Sequence, residues 1–157
     1  MGAFNVNAKE KRAQAQELFR AGYNCSQSVF AAFSDEIGMS RETALMVSAG
    51  LGGGVGRMRE VCGAMGALAM LAGFRHPMKD GRDIDGKREI YRLVQQMAAE
   101  MRAANGSIIC KELLGLKKAE GSPQPEARTD AYYKKRPCPE IIGGAAEIAC
   151  RVLFGGA

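Results

Sequence analysis

The sequence predicts an all-α fold: a single-domain helical bundle of six or seven helices spanning 1–157, with a Gly-rich loop and a long loop before the last helix. Two features of composition and one of pattern point there. Apolar residues make up 46% of the 157-residue chain, enough for a packed core without staples. Trp is absent and aromatics reach only 6%, so Ala, Met and Gly carry the apolar volume, and Ala and Met favour helix. Thr is scarce and β-branched runs are short, which leaves strands little to build on. Along the chain, apolar positions recur at helical spacing between capping residues and glycine stops.

The first helix is expected over residues 7–20, with Leu18 and Phe19 among its anchors and Gly22 after it. A second starts near Cys25, with Asn24 as a good N-cap. Its stripe is Val29, Phe30, Ala32, Phe33 and Ile37, and Gly38 ends it. Ser40 caps a short third helix through Leu45, Met46 and Val47. The glycine-rich stretch 50–60 follows, then a fourth helix over 60–72. The fifth and longest covers 83–105 and is expected to bury Ile84, Tyr91, Val94, Met97, Ala98 and Met101. Ser107 caps a sixth over 108–114. Residues 116–137 read as a long loop, and such loops are usually functional or mobile. The last helix begins at Pro139, a favoured first-turn residue, with Cys138 in the capping position.

The N-terminal stretch has no apolar segment that could serve as a secretion signal. The longest apolar run, from Cys62 to Phe74, falls short of the ~20 residues of a membrane span. The expected location is cytoplasmic. The net charge of +5 is spread over three mixed segments without a nucleic-acid signature. Those charges read as solvated faces, and no nucleic acid is expected as partner.

Five cysteines remain, and four of them, Cys25, Cys62, Cys110 and Cys138, fall at or near a helix start. A helix N-terminus offers free N–H groups and partial positive charge, and both stabilise a thiolate. In a reducing compartment an odd number of cysteines points to metal ligation or thiol chemistry rather than structural disulfides. No C-x-x-C occurs, so zinc-ribbon and thioredoxin spacings are absent. Facing helices of a bundle can nonetheless build one site from distant positions. The four sulfurs are therefore expected to converge. Cys150 is expected to be remote, opposite the Ile141, Ile148 and Val152 stripe.

Cys62 has the richest electrostatic setting in the sequence: a helix start preceded by Arg57 and Arg59. It is expected to be the most acidic thiol. The glycines Gly52, Gly53 and Gly54 match neither the dinucleotide nor the P-loop template, and no strand precedes them. They read either as a wrap that brings backbone N–H groups to a sulfur centre near Cys62, or as a tight corner between helices. His76, the only histidine, sits after a helix end and reads as a surface residue. No Ser-His-Asp set or paired-carboxylate signature stands out.

The segments Gly22-Tyr23-Asn24-Cys25-Ser26-Gln27-Ser28-Val29, Gly52-Gly53-Gly54-Val55-Gly56 with Glu60-Val61-Cys62-Gly63-Ala64, Ser107-Ile108-Ile109-Cys110-Lys111-Glu112-Leu113-Leu114-Gly115, and Cys138-Pro139 resemble one family in order and spacing. It is the C-GCAxxG-C-C family of redox-active proteins. The resemblance maps its four hallmark cysteines onto Cys25, Cys62, Cys110 and Cys138. It implies a small helical bacterial or archaeal protein, often encoded near transporter genes. A related domain accompanies the haem domain of some split-Soret cytochromes, where an iron–sulfur centre is implied.

On that resemblance the leading expectation is an iron–sulfur cluster, [2Fe–2S], held by the four cysteines for electron transfer or redox sensing, with Gly52, Gly53 and Gly54 lending amides. One alternative is a thiol–disulfide protein without metal, with Cys62 and Cys25 as catalytic thiols. Another is a structural zinc site of four cysteines in a transporter-accessory or interaction module. A redox protein, a membrane transporter system and a second copy of the chain are the candidate partners.

Overall fold

The computed structural model describes residues 4–119 and 121–156. Residues 1–3, 120 and 157 lie outside the described residues, and with them the first part of the segment read for a secretion signal. The described chain forms eight α-helices and one short 3-10 turn: α1 (Ala8–Arg20), α2 (Cys25–Ala32), α3 (Arg41–Ser48), α4 (Gly63–Arg75), α5 (Ile84–Asn105), α6 (Cys110–Leu113), α7 (Asp130–Lys135) and α8 (Cys138–Leu153). Strand pairing is limited, among these residues, to one antiparallel bridge between Val61 and Ile109. None of the described helices is long and apolar enough to cross a membrane.

Local sequence accounts for most helix starts. Asn24 caps α2 with a full capping box, its side chain accepting from the Gln27 N–H while Gln27 accepts from the Asn24 N–H. Asn7, Ser40 and Asp83 cap α1, α3 and α5 through their side chains. Gly106, at φ 87°, closes α5 in the left-handed conformation that suits glycine.

The core is built on α2, α4 and α8. α1 lies along α8 and α2, α2 packs on α4, and α5 covers α4 and α8. Phe33 stacks on Phe154 at 5.0 Å, and Phe30, Leu68, Leu71, Met97 and Ile142 fill the interior. An enclosed ion pair lies beside it: Lys11 Nζ sits 2.7 Å from Glu36 and donates to the Ala32 carbonyl, over the Phe33 ring.

Four expectations need correction. The stretch 116–137 is not all loop, because it contains α7. Thr129 caps that helix, and Tyr132 and Tyr133 hold it by packing on Phe19. α4 begins at Gly63 rather than at residue 60, since residues 59–62 pair with 108–111 instead of coiling. Ile84 and Tyr91 are about 60% exposed; Leu93 joins Met97, Ala98 and Met101 on the buried face of α5. Finally, α2 stops at Ala32, short of Ile37, and residues 33–38 continue as turns to Gly38. Cys150, on α8, is fully buried.

Candidate functional site

Cys25, Cys110 and Cys138 are the first residues of α2, α6 and α8, and Cys62 is the N-cap of α4. All four line one cavity of about 70 Å³. Cys150 does not. Two local devices bring the four together. The first is the short pairing of 59–62 with 108–111, in which the Cys62 N–H donates to the Ile108 carbonyl at 2.8 Å and the Cys110 N–H to Glu60 at 2.7 Å. Alternation along a paired strand puts Cys62 and Cys110 on the same face of that pairing. The second is a pair of close approaches that only glycine permits. A Cβ on Gly63 would lie 2.5 Å from the Cys25 sulfur, and one on Gly54 would lie 2.6 Å from Cys110 Cβ.

The glycine loop is more strained than its sequence suggests. Gly53, Gly54, Val55, Gly56 and Arg57 form an unbroken left-handed run at φ 56–70°, and Arg59 follows at φ 62°. Such a conformation is a true outlier for β-branched Val55. Strain of this kind persists only where the surroundings over-determine it, and it concentrates at functional sites. Here long-reach backbone bonds hold it: Arg59 N–H to Gly53 O at 3.0 Å and Glu60 N–H to Gly54 O at 2.8 Å.

The loop brings one amide to a sulfur, that of Gly53, and the sulfur is that of Cys25 rather than Cys62. The Cys62 thiol donates to the Cys25 sulfur, and this is the main cause that lowers the Cys25 thiol to about 6. The backbone N–H groups of Gly53, Ser26 and Gly63 add to it, against the opposing cost of burial. Cys62 is pushed well up, first because it is the donor in that bond and then by burial and the Cys25 charge. Cys62 is therefore not the most acidic thiol.

Arg59 does not serve Cys62 either. Its guanidinium turns to Cys110, with Nη1 3.7 Å from the sulfur. Burial still raises Cys110 overall. Cys138 is raised to about 12, by burial first and then by the Cys25 charge. Near neutral pH the metal-free site thus holds one thiolate and three thiols.

The sequence reading treated the basic residues around α7 as a solvated face, yet Arg128 and Arg136 wall the cavity together with Arg59 and Tyr132. Arg128 donates to the carbonyls of Phe19 at 2.9 Å and Tyr23 at 3.1 Å, capping the end of α1, and stacks on Phe19 at 4.3 Å. Arg136 lies over the Tyr132 ring at 5.2 Å. The Tyr-Tyr doublet after a capping Thr, flanked by arginines, was the available signal. His76 ends α4 away from the cavity.

Among the described residues no three His, Cys, Asp or Glu side chains are placed to share a single ion. A buried water needs about 10–15 Å³, so the cavity of about 70 Å³ has space for a few heavy atoms.

The family model C_GCAxxG_C_C, described as "Putative redox-active protein", matches residues 23–152. No curated protein and no solved structure matches the chain.

Proposed function

The chain belongs to the C-GCAxxG-C-C family of redox-active proteins, and from that premise we propose that its four cysteines hold a [2Fe–2S] cluster used for electron transfer or redox sensing. One observation carries the reading. Cysteines from four separate segments line a single cavity whose remaining walls are mostly apolar, with three arginines, Asn24 and Tyr132. A dithiol mechanism needs two sulfurs and leaves Cys110 and Cys138 without a role.

The donor set fits such a group. A [2Fe–2S] cluster takes two thiolates at each iron. Four cysteines around one cavity supply that number of thiolates. Cys25, Cys62, Cys110 and Cys138 would be the ligands, and the cluster would supply one-electron chemistry. The protein's part is electrostatic and steric. Arg59, Arg128 and Arg136 offset negative charge, and the N–H groups of Gly53, Ser26 and Gly63 point at the Cys25 sulfur. Phe19, Leu113, Ile141 and Ile142 limit access of water.

A second reading has its own support. The Cys25–Cys62 pair, one thiol lowered and its hydrogen-bond donor raised, suits thiol–disulfide exchange. The Cys25 thiolate would attack a partner disulfide and expel one partner thiolate. The Cys62 thiol, losing its proton, would then attack the mixed disulfide, closing Cys25–Cys62 and releasing the second partner thiol. In this reading Cys25 is the attacking residue and Cys62 the resolving one.

Anaerobic purification separates the readings. The cluster reading expects visible charge-transfer absorption with two iron and two sulfide per chain. Colourless, iron-free protein with an oxidisable Cys25–Cys62 disulfide transfers the assignment to the dithiol. Stoichiometric zinc, or neither metal nor disulfide, overturns both.

A further inference from the structure

Beside the cysteine cavity lies an open groove of about 420 Å³. The two share a wall that includes Arg59, Arg128, Arg136 and Tyr132. Arg57 joins these arginines in the groove, so four guanidinium groups face it, while Glu126 is the one carboxylate among the described lining residues. Glu126 reaches both ends of this cationic set: its carboxylate pairs with Arg136 and stands 3.8 Å from Arg57. The side chain is 44% exposed and comes from a segment without regular structure, with the nearby Ser122 carbonyl held by Arg57 at 2.8 Å.

From this arrangement we propose that the groove is a binding site for a small, multiply charged anion, a dicarboxylate or a phosphorylated compound, and that Glu126 is an internal carboxylate which such an anion displaces. The planar guanidinium fork matches carboxylate and phosphate oxygens in pairs of hydrogen bonds. The seat already accepts a carboxylate, since Glu126 occupies it. The volume falls in the range of small-molecule sites. The ligand would stand against Arg59, which also touches Cys110, so it would sit at the wall of the redox site. The two sites share these arginines, so negative charge at the cysteines and an anion in the groove compete for the same wall.

The test is calorimetric titration of the protein as purified with succinate, with inorganic phosphate and with the monocarboxylate butyrate, at ionic strength fixed with chloride. The expected result is saturable binding of succinate or phosphate and none of butyrate. Whichever of the two binds identifies the acid group. Glu126→Gln should tighten that binding at least ten-fold, and Arg136→Gln should weaken it at least ten-fold. Glu140→Gln, a charge change on α8 outside the groove, should leave it within two-fold. Binding of neither anion by native protein and by Glu126→Gln alike overturns the proposal. So does a Glu140→Gln effect equal to that of Glu126→Gln, because the gain would then be net charge alone. The Glu126 variant changes only a half-exposed loop residue, and unchanged far-UV dichroism and melting temperature verify its fold.

Discussion

The Cys62 thiol donates a hydrogen bond to the sulfur of Cys25, and the two thiols are shifted in opposite directions because of it, Cys25 down and Cys62 up. A helix start and two nearby arginines favour Cys62 on paper. The fold gives Cys62 the amides of Ala64 and Met65, but its role as donor to Cys25 and its burial outweigh them, and Arg59 goes to Cys110.

In reduced, metal-free protein Cys25 is the first thiol to react. A thiol at about 6 is about nine-tenths ionised at pH 7, whereas one at the ordinary 9.0 is about one-hundredth ionised. Alkylation followed by peptide mapping should label Cys25 first, with a rate that titrates near 6. Cys62→Ala removes the donor and should move that titration upward, while Cys62→Ser, which keeps a hydroxyl, should restore part of the shift. A Cys25 rate unaffected by either substitution contradicts the pairing.

Stability of the same protein should rise with pH between about 6 and 9, then fall. Between those values the unfolded chain holds a Cys25 proton that the folded chain has released, so raising the pH favours the fold. The Cys25 contribution is thus complete above the ordinary thiol value and is lost as pH drops through the folded one. Above about 9 the sign reverses, because folded Cys138 and Cys150, raised to about 12 and about 11, keep protons that the unfolded chain loses. Urea midpoints across this range should trace the maximum, and Cys25→Ser should flatten the rising limb.

Gly63→Ala should cost about 1–3 kcal/mol, the range for overpacking a tight site. The added methyl would meet the Cys25 sulfur at 2.5 Å and the Leu51 carbonyl at 2.8 Å. Gly144→Ala, where a Cβ finds nothing within 4 Å in the interior of α8, should instead gain about 0.5–1 kcal/mol. Chemical denaturation of the pair gives the contrast, and equal effects at both positions would count against the close approach.

Lys11→Met leaves Glu36 as an unpaired enclosed carboxylate and the Ala32 carbonyl without its donor. The expected loss is about 3–5 kcal/mol. Combining it with Glu36→Gln should recover part of that, so a double-mutant cycle reads the coupling. The labelling profile of Cys25 should not change, since this pair lies outside the cysteine cavity.

Arg128→Ala should loosen the segment that precedes α7 by removing its two bonds to the end of α1. Trypsin cleavage after Lys117 and Lys118 should accelerate several-fold while far-UV dichroism stays helical. Unchanged cleavage would mean that Tyr132 and Tyr133 anchor the segment without Arg128.

Helical class, the order of seven of the helices and the helix-start position of the four cysteines were legible in the sequence, because all three depend on local rules. Asn24 before Cys25 and Ser40 before Arg41 offer side-chain acceptors to free N–H groups, and Gly106 ends α5 in the left-handed conformation. α7 was missed because six residues propagate too little helix to stand alone, and Phe19, more than a hundred positions away, supplies the packing that holds it. The ranking of thiols was missed for a related reason. A thiol's acidity is set by the few groups that touch it, and those arrive from remote parts of the chain: Gly53 from a left-handed loop, Gly63 from the start of α4, Arg59 at Cys110 across a strand pairing. Local propensity determined which residues begin helices. Only the tertiary structure decided which of those beginnings face one another, because long-range packing and backbone pairing, rather than spacing along the chain, place the sulfurs and their charges.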